Sequence, residues 1–190
     1  MKRFRLITVL VAACLLALSG CGPRRAAVLK ALNQGRARGV LIKGVPGFIQ
    51  DKFMCGPASL ASVMSFYGEQ TGPDEIAQTA YLEGLKGTLM IDLLLYAKSK
   101  GFNASYYRGG IADLKEKLRD GKPLILFLNT GYGLTAKGHY ITVFGYSDSA
   151  DAVVAHTGIE KEAVLGYKEL VSTWKTTNFS TLLITPRAER

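Results

Sequence analysis

The spacing of apolar residues predicts helices in the first half of the chain after residue 44. Between Leu60 and Tyr67, apolar side chains recur at the i, i+3, i+4, i+7 spacing of a buried helix face, in a segment that opens at Cys55. Gly68 follows as a suitable helix end. Pro73, with two acidic residues after it, is typical of a second helix start. Further helices are predicted over residues 88–100 and Ile111–Arg119.

Short apolar runs separated by turn-forming residues predict strands in the second half. The continuous apolar run at 123–128 has the length of a strand and predicts a buried one. Runs at 139–145 and 152–155 predict two more strands. A short helix over Tyr167–Trp174 and a last strand over Ser180–Thr185 complete the pattern. We therefore expect an α+β fold, with N-terminal helices packed on a C-terminal antiparallel sheet.

Residues 1–20 have the pattern of a bacterial export signal. Three basic residues precede an apolar run over 6–18, which is shorter than the roughly 20 residues needed to cross a bilayer. The tetrapeptide Leu18-Ser-Gly-Cys21 resembles the bacterial lipobox, whose cysteine becomes an acylated N-terminus. By resemblance to Gram-negative sorting rules, Gly22 after this cysteine favours the outer membrane. We expect a chain in the bacterial cell envelope, anchored by lipid on Cys21 and facing the periplasm.

The formal charge of +9 is concentrated at the N-terminus. Nine basic and no acidic residues lie within 1–43, so the remainder is neutral overall. We interpret 21–44 as a lipidated basic tether beside anionic headgroups, where each charge contributes on the order of 1 kcal/mol. Residues 45–187 are interpreted as a single domain. A neutral body without a basic stripe argues against a nucleic-acid partner, and the sequence has no Walker-type loop for a nucleotide.

Cys55 is the candidate nucleophile. Once residues 1–20 are removed and Cys21 is acylated, it is the one free thiol, and exported proteins keep such a thiol for intermolecular pairing or for reactivity. A helix N-terminus and a neighbouring imidazolium both favour a thiolate, and His139 can supply the imidazole. Gln50 could form an oxyanion hole with the Cys55 N–H, at about 3 kcal/mol per donor. The sequence therefore predicts nucleophilic catalysis by a Cys–His pair.

Two segments resemble the bacteriocin-processing, double-glycine family of papain-like cysteine peptidases. The first reads Gln-x4-Cys-Gly-Pro-Ala-Ser-Leu-x6-Tyr-Gly from Gln50 onward, and the second is Gly-His-Tyr-Ile-Thr-Val-Phe-Gly around His139. A leucine four residues before Trp174 and the apolar strand after it are similar to the end of that domain. The resemblance spans 45–186 and is strongest to free-standing, lipoprotein-type members. It implies a papain-like fold and peptidase activity on a peptide or protein, without a cofactor.

The third catalytic position departs from the family pattern. Where the family has an aspartate followed by proline after the next strand, this chain has His156. A neutral His156 could accept a hydrogen bond from Nδ1–H of His139 and fix its tautomer, although it supplies no negative charge. Asn129 and Asp148 are alternative orienting residues. The catalytic set predicted from the sequence is thus Cys55, His139, His156 and Gln50, with no metal.

The leading hypothesis is a membrane-anchored cysteine peptidase that uses a Cys55–His139 thiolate–imidazolium pair. One alternative is a peptide-binding lipoprotein whose catalytic geometry has decayed at His156. Another is a cell-wall endopeptidase with a Cys–His–His site. Cys55 and His139 as ordinary core residues, or all three side chains as a Zn²⁺ site, are further readings that the sequence leaves open.

Overall fold

A seven-stranded antiparallel sheet organises the fold. The structure, a computed structural model, describes residues 21–49, 53–131 and 135–187, so the predicted export signal and Gln50 lie outside the described residues. The helices are α1 Cys21–Asn33, α2 Cys55–Phe66, α3 Pro73–Ala80, α4 Met90–Ser99, α5 Ile111–Arg119 and α6 Tyr167–Trp174. The strands are β1 Gly39–Leu41, β2 Asn103–Arg108, β3 Leu124–Asn129, β4 Gly138–Ser147, β5 Ala152–His156, β6 Ala163–Gly166 and β7 Ser180–Thr185.

The order of the strands places β4 near the middle of the sheet. Along the sheet the strands run β2-β7-β3-β4-β5-β6. The first half of β4 pairs with β3, whereas its last residues pair with β1, so that β1 continues the line of β3. On the other side, β5 pairs along β4 with a register shift between Val143 and Gly145. His139, which carries the candidate catalytic imidazole, is the second residue of this central strand.

Helices cover both faces of the sheet and bury two large apolar cores. On one face, α2, α3 and α4 pack over inward side chains of β3, β4 and β7, with Leu60, Met64 and Leu93 fully buried. On the other face, α5 and α6 pack over β3, β4 and β5 around Trp174, whose indole N–H donates to the carbonyl of Ser180 at 3.0 Å. The α+β, papain-like architecture expected from the sequence is confirmed.

The apolar pattern located most elements but missed the edge strand β2 and the two short strands β1 and β6. Each helix predicted after residue 44 is present, and the predicted strands are present with small shifts at their ends. Strand β2 was not predicted because it lies at the edge of the sheet, and Ala104 is its one buried side chain. Strand β6 has four residues, too few to show an alternating pattern. In the described residues, no helix has the length and apolar character of a membrane-spanning segment.

The segment predicted to be a free basic tether is part of the folded unit. Helix α1 packs Leu29 and Leu32 against a third apolar cluster, and its Val28 is buried. Strand β1 extends the sheet, and the N–H of Ile42 donates to the carbonyl of Phe144. The basic side chains that we expected to face headgroups include two that bind the protein, as described below. The segment folds onto the body because apolar side chains of α1 pack there, and the concentration of charge in the sequence obscured them.

We predict that Val28→Ala lowers the free energy of unfolding by about 1–2 kcal/mol, because it removes two buried methyl groups at roughly 0.8 kcal/mol each. Equilibrium denaturation in urea measures this loss. Ala27→Ser, at an exposed position of the same helix, is the matched control and should leave the stability unchanged. Equal stability of Val28→Ala and the unsubstituted protein would mean that α1 does not contribute to the folded state.

Candidate active site

Cys55 lies at the first position of α2, where the helix leaves its N–H groups without intrahelical acceptors. The preceding residue, Met54, is the N-cap and makes no side-chain capping hydrogen bond. Among the side chains that the structure describes, none accepts a hydrogen bond from the first N–H groups of the helix, and these groups are suited to a developing negative charge. Cys55 is half-buried against the α2–α4 core, and it is the free cysteine among the residues whose side chains are described.

The backbone just before the thiol adopts a conformation that bulky residues avoid. Phe53 has a φ of 75°, in the left-handed region, and its ring is about half exposed. A non-glycine residue with this geometry is costly and is held in place by its surroundings. Such strained positions cluster at functional sites. Here the strained residue, Phe53, lies two residues before Cys55, where α2 begins.

A close contact between α2 and β4 brings the two candidate catalytic residues to the same end of the site. A Cβ atom at Gly56 would lie only 3.0 Å from Thr88 Cβ and 3.4 Å from Cδ2 of Tyr140. The hydroxyl of Tyr140 donates to the carbonyl of Thr88 at 3.0 Å. Burial, and then the nearby Cys55, raises the pKa of this hydroxyl. Because Cys55 precedes Gly56 and His139 precedes Tyr140, each lies one residue from this contact.

His139 is oriented by a backbone carbonyl. Its Nε2 lies 2.8 Å from the carbonyl oxygen of Thr157, which follows β5. A carbonyl can only accept, so Nε2 carries the proton and donates it. In the neutral ring Nδ1 is then the basic nitrogen. This contact is the reverse of the predicted one, in which Nδ1–H was the donor to an orienting side chain.

The surroundings of His139 favour its neutral form. Burial lowers the pKa of His139, the hydrogen bond to Thr157 raises it, and the nearby charge of Lys137 lowers it further. The net direction is downward from the ordinary value. In the described residues, the thiol and this imidazole are not joined by a hydrogen bond, an arrangement common in catalytic sites without substrate.

The predicted hydrogen bond from His139 to His156 is wrong. Nε2 of His156 donates to the carbonyl of Val45 at 2.9 Å, and Nδ1 accepts from the N–H of Glu162 at 3.2 Å. Both ring nitrogens are therefore occupied, and none is left to accept from His139. The ring also stacks on Phe144 with centroids 4.3 Å apart. Burial lowers the pKa of His156, although the Val45 carbonyl acts in the opposite direction.

The two alternative orienting residues also have other partners. The side-chain oxygen of Asn129 accepts from the N–H groups of Gly131 and Lys137 and closes the base of the loop that leads to His139. Asp148 pairs with Lys115 and accepts from the hydroxyl of Tyr167, and these contacts lower its pKa. It follows the far end of β4, about 30 Å from His139 at roughly 3.3 Å per residue.

Two further sequence predictions concern Gln50 and a metal site. Gln50 lies outside the described residues, so its predicted part in an oxyanion hole stays a prediction. In the described ranges, no group of three or more His, Cys, Asp and Glu side chains is arranged to hold a metal ion.

Two functional features escaped the sequence interpretation. Thr157 escaped because its backbone carries the function, and any residue can supply a carbonyl. Gly47 was missed because its role is to let the backbone approach His156 closely. A Cβ atom at this position would lie 2.7 Å from Nδ1 of His156. The presence of a glycine at position 47, in the segment that joins β1 to α2, was the signal that the sequence offered.

Comparison with known proteins identifies the family. Residues 42–181 match the Peptidase_C39 like family, and the chain therefore belongs to that family. The match starts within the segment that follows β1 and ends in β7, so it leaves out helix α1. The family expected from the sequence motifs is thus confirmed.

Solved structures share the fold at low sequence identity. A protein of Bacillus anthracis described as a C39-like peptidase superposes with a TM-score of 0.63 at 15% identity, covering 80% of this chain and all of the other. A double glycine motif protease from an AMS/PCAT transporter, in complex with the leader peptide, gives 0.59 at 18% identity and covers 79% and 96%. Xylellain, a cysteine protease from Xylella fastidiosa, gives 0.58 at 12% identity and covers 78% and 86%.

A curated protein is also similar to this chain in sequence. An uncharacterized protein of Methanothermobacter marburgensis is 36% identical over 96 residues, which are 50% of this chain. The chain spans 60% of the length of that relative.

We predict that His156→Gln makes the stability of the protein less sensitive to acid. Glutamine retains a donor for Val45 and an acceptor for Glu162 but does not titrate. Because burial lowers the pKa of His156, the unfolded chain binds a proton that the folded one does not as the pH falls below about 6.5. Stability supplied by the neutral ring is therefore present above that pH and is lost as the pH falls towards the lowered pKa.

Urea denaturation at pH 7.5 and pH 5.0 tests this prediction. The difference in unfolding free energy between the two pH values should be smaller in His156→Gln than in the unsubstituted protein. His139 titrates in both proteins, so the comparison isolates His156. An unchanged difference would contradict the assignment of a buried neutral imidazole at this position.

Proposed function

We propose that this chain is a membrane-anchored cysteine peptidase in which Cys55 is the nucleophile and His139 is the general base and acid. The observation that carries the proposal is the contact of Gly56 with Tyr140. Cys55 is the residue before Gly56, and His139 is the residue before Tyr140. The orientation of His139 by the Thr157 carbonyl supports the same roles, because it leaves Nδ1 as the nitrogen that accepts a proton.

The reaction divides into acylation and deacylation. Sγ of Cys55 attacks the carbonyl carbon of a peptide as Nδ1 of His139 takes the thiol proton. The resulting oxyanion is stabilised by the N–H of Cys55 and, in the proposal, by the side-chain amide of Gln50. Nδ1–H then protonates the leaving nitrogen, the C–N bond breaks and the amine departs. Water attacks the thioester with Nδ1 again as base, and the carboxylic acid and the thiol are regenerated.

The resting proton distribution differs from the ion pair expected from the sequence. A carbonyl partner supplies a dipole but no full charge, and burial lowers the pKa of His139. We therefore propose that the imidazole of His139 is neutral at rest and that proton transfer accompanies the attack. The mechanism requires no metal or cofactor at any of these steps.

The proposed substrate is an exported peptide or protein, cleaved after small residues such as Gly-Gly. Support comes from family membership and from the similar structure of a double glycine motif protease with a leader peptide. The bond cleaved by this chain is an inference from those relatives. The proposed site of action is the periplasmic face of the bacterial outer membrane, which rests on the lipobox resemblance at Cys21.

The two alternative functions are affected differently by the geometry. A cell-wall endopeptidase with a Cys–His–His site depended on a hydrogen bond between His139 and His156. Since His156 binds Val45 and Glu162 instead, that alternative loses its structural basis. A peptide-binding lipoprotein without turnover is the remaining competitor, and it differs from the peptidase in requiring no reactive thiol.

We predict that Cys55→Ala and His139→Ala each reduce peptide hydrolysis by at least about 10³-fold, because covalent catalysis needs both the nucleophile and its base. Release of product from a quenched peptide containing Gly-Gly, followed by mass spectrometry of the fragments, measures turnover. A peptide with Val-Val at the scissile position is the substrate control. His156→Gln is the matched protein control and should retain activity.

Turnover that survives in Cys55→Ala would exclude the thiol mechanism. Tight binding of the peptide by the unsubstituted protein, with no cleavage, would favour the peptide-binding alternative. Unfolding of either variant is detected by circular dichroism, and Cys55→Ser then provides a second nucleophile variant of nearly the same size.

We predict that Cys21→Ala blocks incorporation of an alkyne-tagged fatty acid into the protein in a Gram-negative host. The lipobox cysteine is the acylated residue in the proposal, and several acyl chains at about 0.8 kcal/mol per buried CH₂ give a firm anchor. Cys14→Ala is the matched control, because that cysteine lies in the segment expected to be removed. Labelling that persists in Cys21→Ala would refute the assignment.

A further inference from the structure

The carbonyl that orients His139 belongs to a loop that is poorly held by packing. This catalytic loop, residues 157–162, connects β5 to β6, and its apolar side chain Ile159 is 82% exposed. Gly158 and Glu162 have positive φ values of 78° and 54°. An exposed loop with few apolar contacts keeps one conformation only if polar contacts hold it.

Internal hydrogen bonds tie Thr157 to Glu160. The N–H of Thr157 donates to the carbonyl of Glu160 at 3.0 Å, and the N–H of Glu160 donates to Oγ1 of Thr157 at 3.0 Å. The position of Glu160 therefore sets the position of Thr157. Since the Thr157 carbonyl lies 2.8 Å from Nε2 of His139, a displacement at Glu160 is transmitted to the imidazole.

Arg25 of α1 binds this loop from outside the family domain. One guanidinium nitrogen lies 2.7 Å from the carboxylate of Glu160, and a second donates to the carbonyl of Lys161. The planar guanidinium thus holds two consecutive loop residues at once, which a single point charge does less well. Arg25 precedes the matched residues 42–181, so its role is not part of the family pattern.

Helix α1 is a suitable support for such a contact. Val28 is buried, and Leu29 and Leu32 pack against the third apolar cluster. The neighbouring Arg24 does not bind the catalytic loop but donates to the carbonyl of Ala150 at 3.3 Å, on a different loop. The helix is therefore fixed to the body at several points. The guanidinium of Arg25 extends from this fixed helix to the catalytic loop.

We propose that Arg25 is a positioning residue for the peptidase reaction: by holding Glu160 and Lys161 it keeps the Thr157 carbonyl on Nε2 of His139. The catalytic tautomer of His139 thus depends on the N-terminal helix. This inference rests on the proposed function for its effect on turnover, but the contact with His139 can be tested without any substrate.

The ion pair contributes little to global stability, so its effect should be local. Both side chains are partly exposed, and such pairs are typically weak and screened by salt. We expect Arg25→Ala to lower kcat about three- to fivefold with little change in KM, the range that a surface ion pair of this kind supplies. Removal of a group that only stabilised the fold would lower the amount of active protein without changing the tautomer of His139.

Nitrogen-detected NMR of the imidazoles is the first experiment. The chain has two histidines, so His156→Gln assigns the remaining signals to His139. At a pH where the ring is neutral, the unsubstituted protein should show the Nε2–H tautomer. Arg25→Ala and Glu160→Ala should each shift the ring towards a mixture of tautomers. Arg24→Ala, on the same helix, is the matched control and should give the spectrum of the unsubstituted protein.

Kinetics on the Gly-Gly peptide complete the test through a double-mutant cycle. Arg25→Ala combined with Glu160→Ala should lower kcat by less than the product of the two single effects, since the residues act through one contact. Arg25→Lys retains the charge but not the planar pair of donors, and it should recover part of kcat. Raising the salt concentration to 1 M should lower kcat of the unsubstituted protein more than kcat of Arg25→Ala.

The outcomes separate this inference from the proposed function. His139 signals and kcat that are unchanged in Arg25→Ala would overturn the positioning role, and so would equal changes in Arg24→Ala. If the unsubstituted protein cleaves no peptide while the NMR changes occur as expected, the positioning role stands and the peptidase proposal fails. If Arg25→Ala does not fold, Glu160→Ala and Arg25→Lys carry the same comparison.

Discussion

The packing of α2 against β4 is the constraint on which the rest of the site depends. Gly56 lets the helix approach the ring of Tyr140, and farther along the same interface Oγ1 of Thr142 donates to the carbonyl of Ser59. A Cβ atom at Gly56 would lie 3.0 Å from Cβ of Thr88, so a larger residue there would require Thr88 or the first turn of α2 to shift. The proposed nucleophile and the proposed base belong to opposite sides of this interface, so its closeness decides whether they can act together.

The orienting group of His139 is a dipole and not a charge, and this sets the electrostatics of the site. A neutral hydrogen bond contributes about 0.5–1.5 kcal/mol, whereas one to a charged group contributes about 1.5–3 kcal/mol. A carboxylate would stabilise the imidazolium by the larger amount, but the Thr157 carbonyl does not offset the desolvation of the ring. The Thr157 carbonyl therefore orients the proposed base, while burial lowers its pKa and favours the neutral ring.

The sequence predicted those parts of the molecule that depend on side-chain pattern. Helix α2 and the central strand follow from apolar spacing, and the family follows from the motif residues around Cys55 and His139. The partner of His139 could not be predicted, because a backbone carbonyl leaves no trace in the sequence. His156 was misassigned because its spacing from His139 suits an orienting residue, while the contacts that occupy its ring come from distant residues, Val45 and Glu162.

The N-terminal segment shows why composition alone misleads about function. Six basic residues and no acidic one over 21–43 suggested a tether, yet Arg25 binds the loop that presents the Thr157 carbonyl. The topology explains how this is possible. Because β1 pairs with β4, the chain before residue 44 is held against the sheet, and α1 can then pack beside β5 and β6. A segment outside the matched residues thereby reaches the proposed catalytic histidine through one loop, and the same helix begins at the cysteine proposed to carry the lipid.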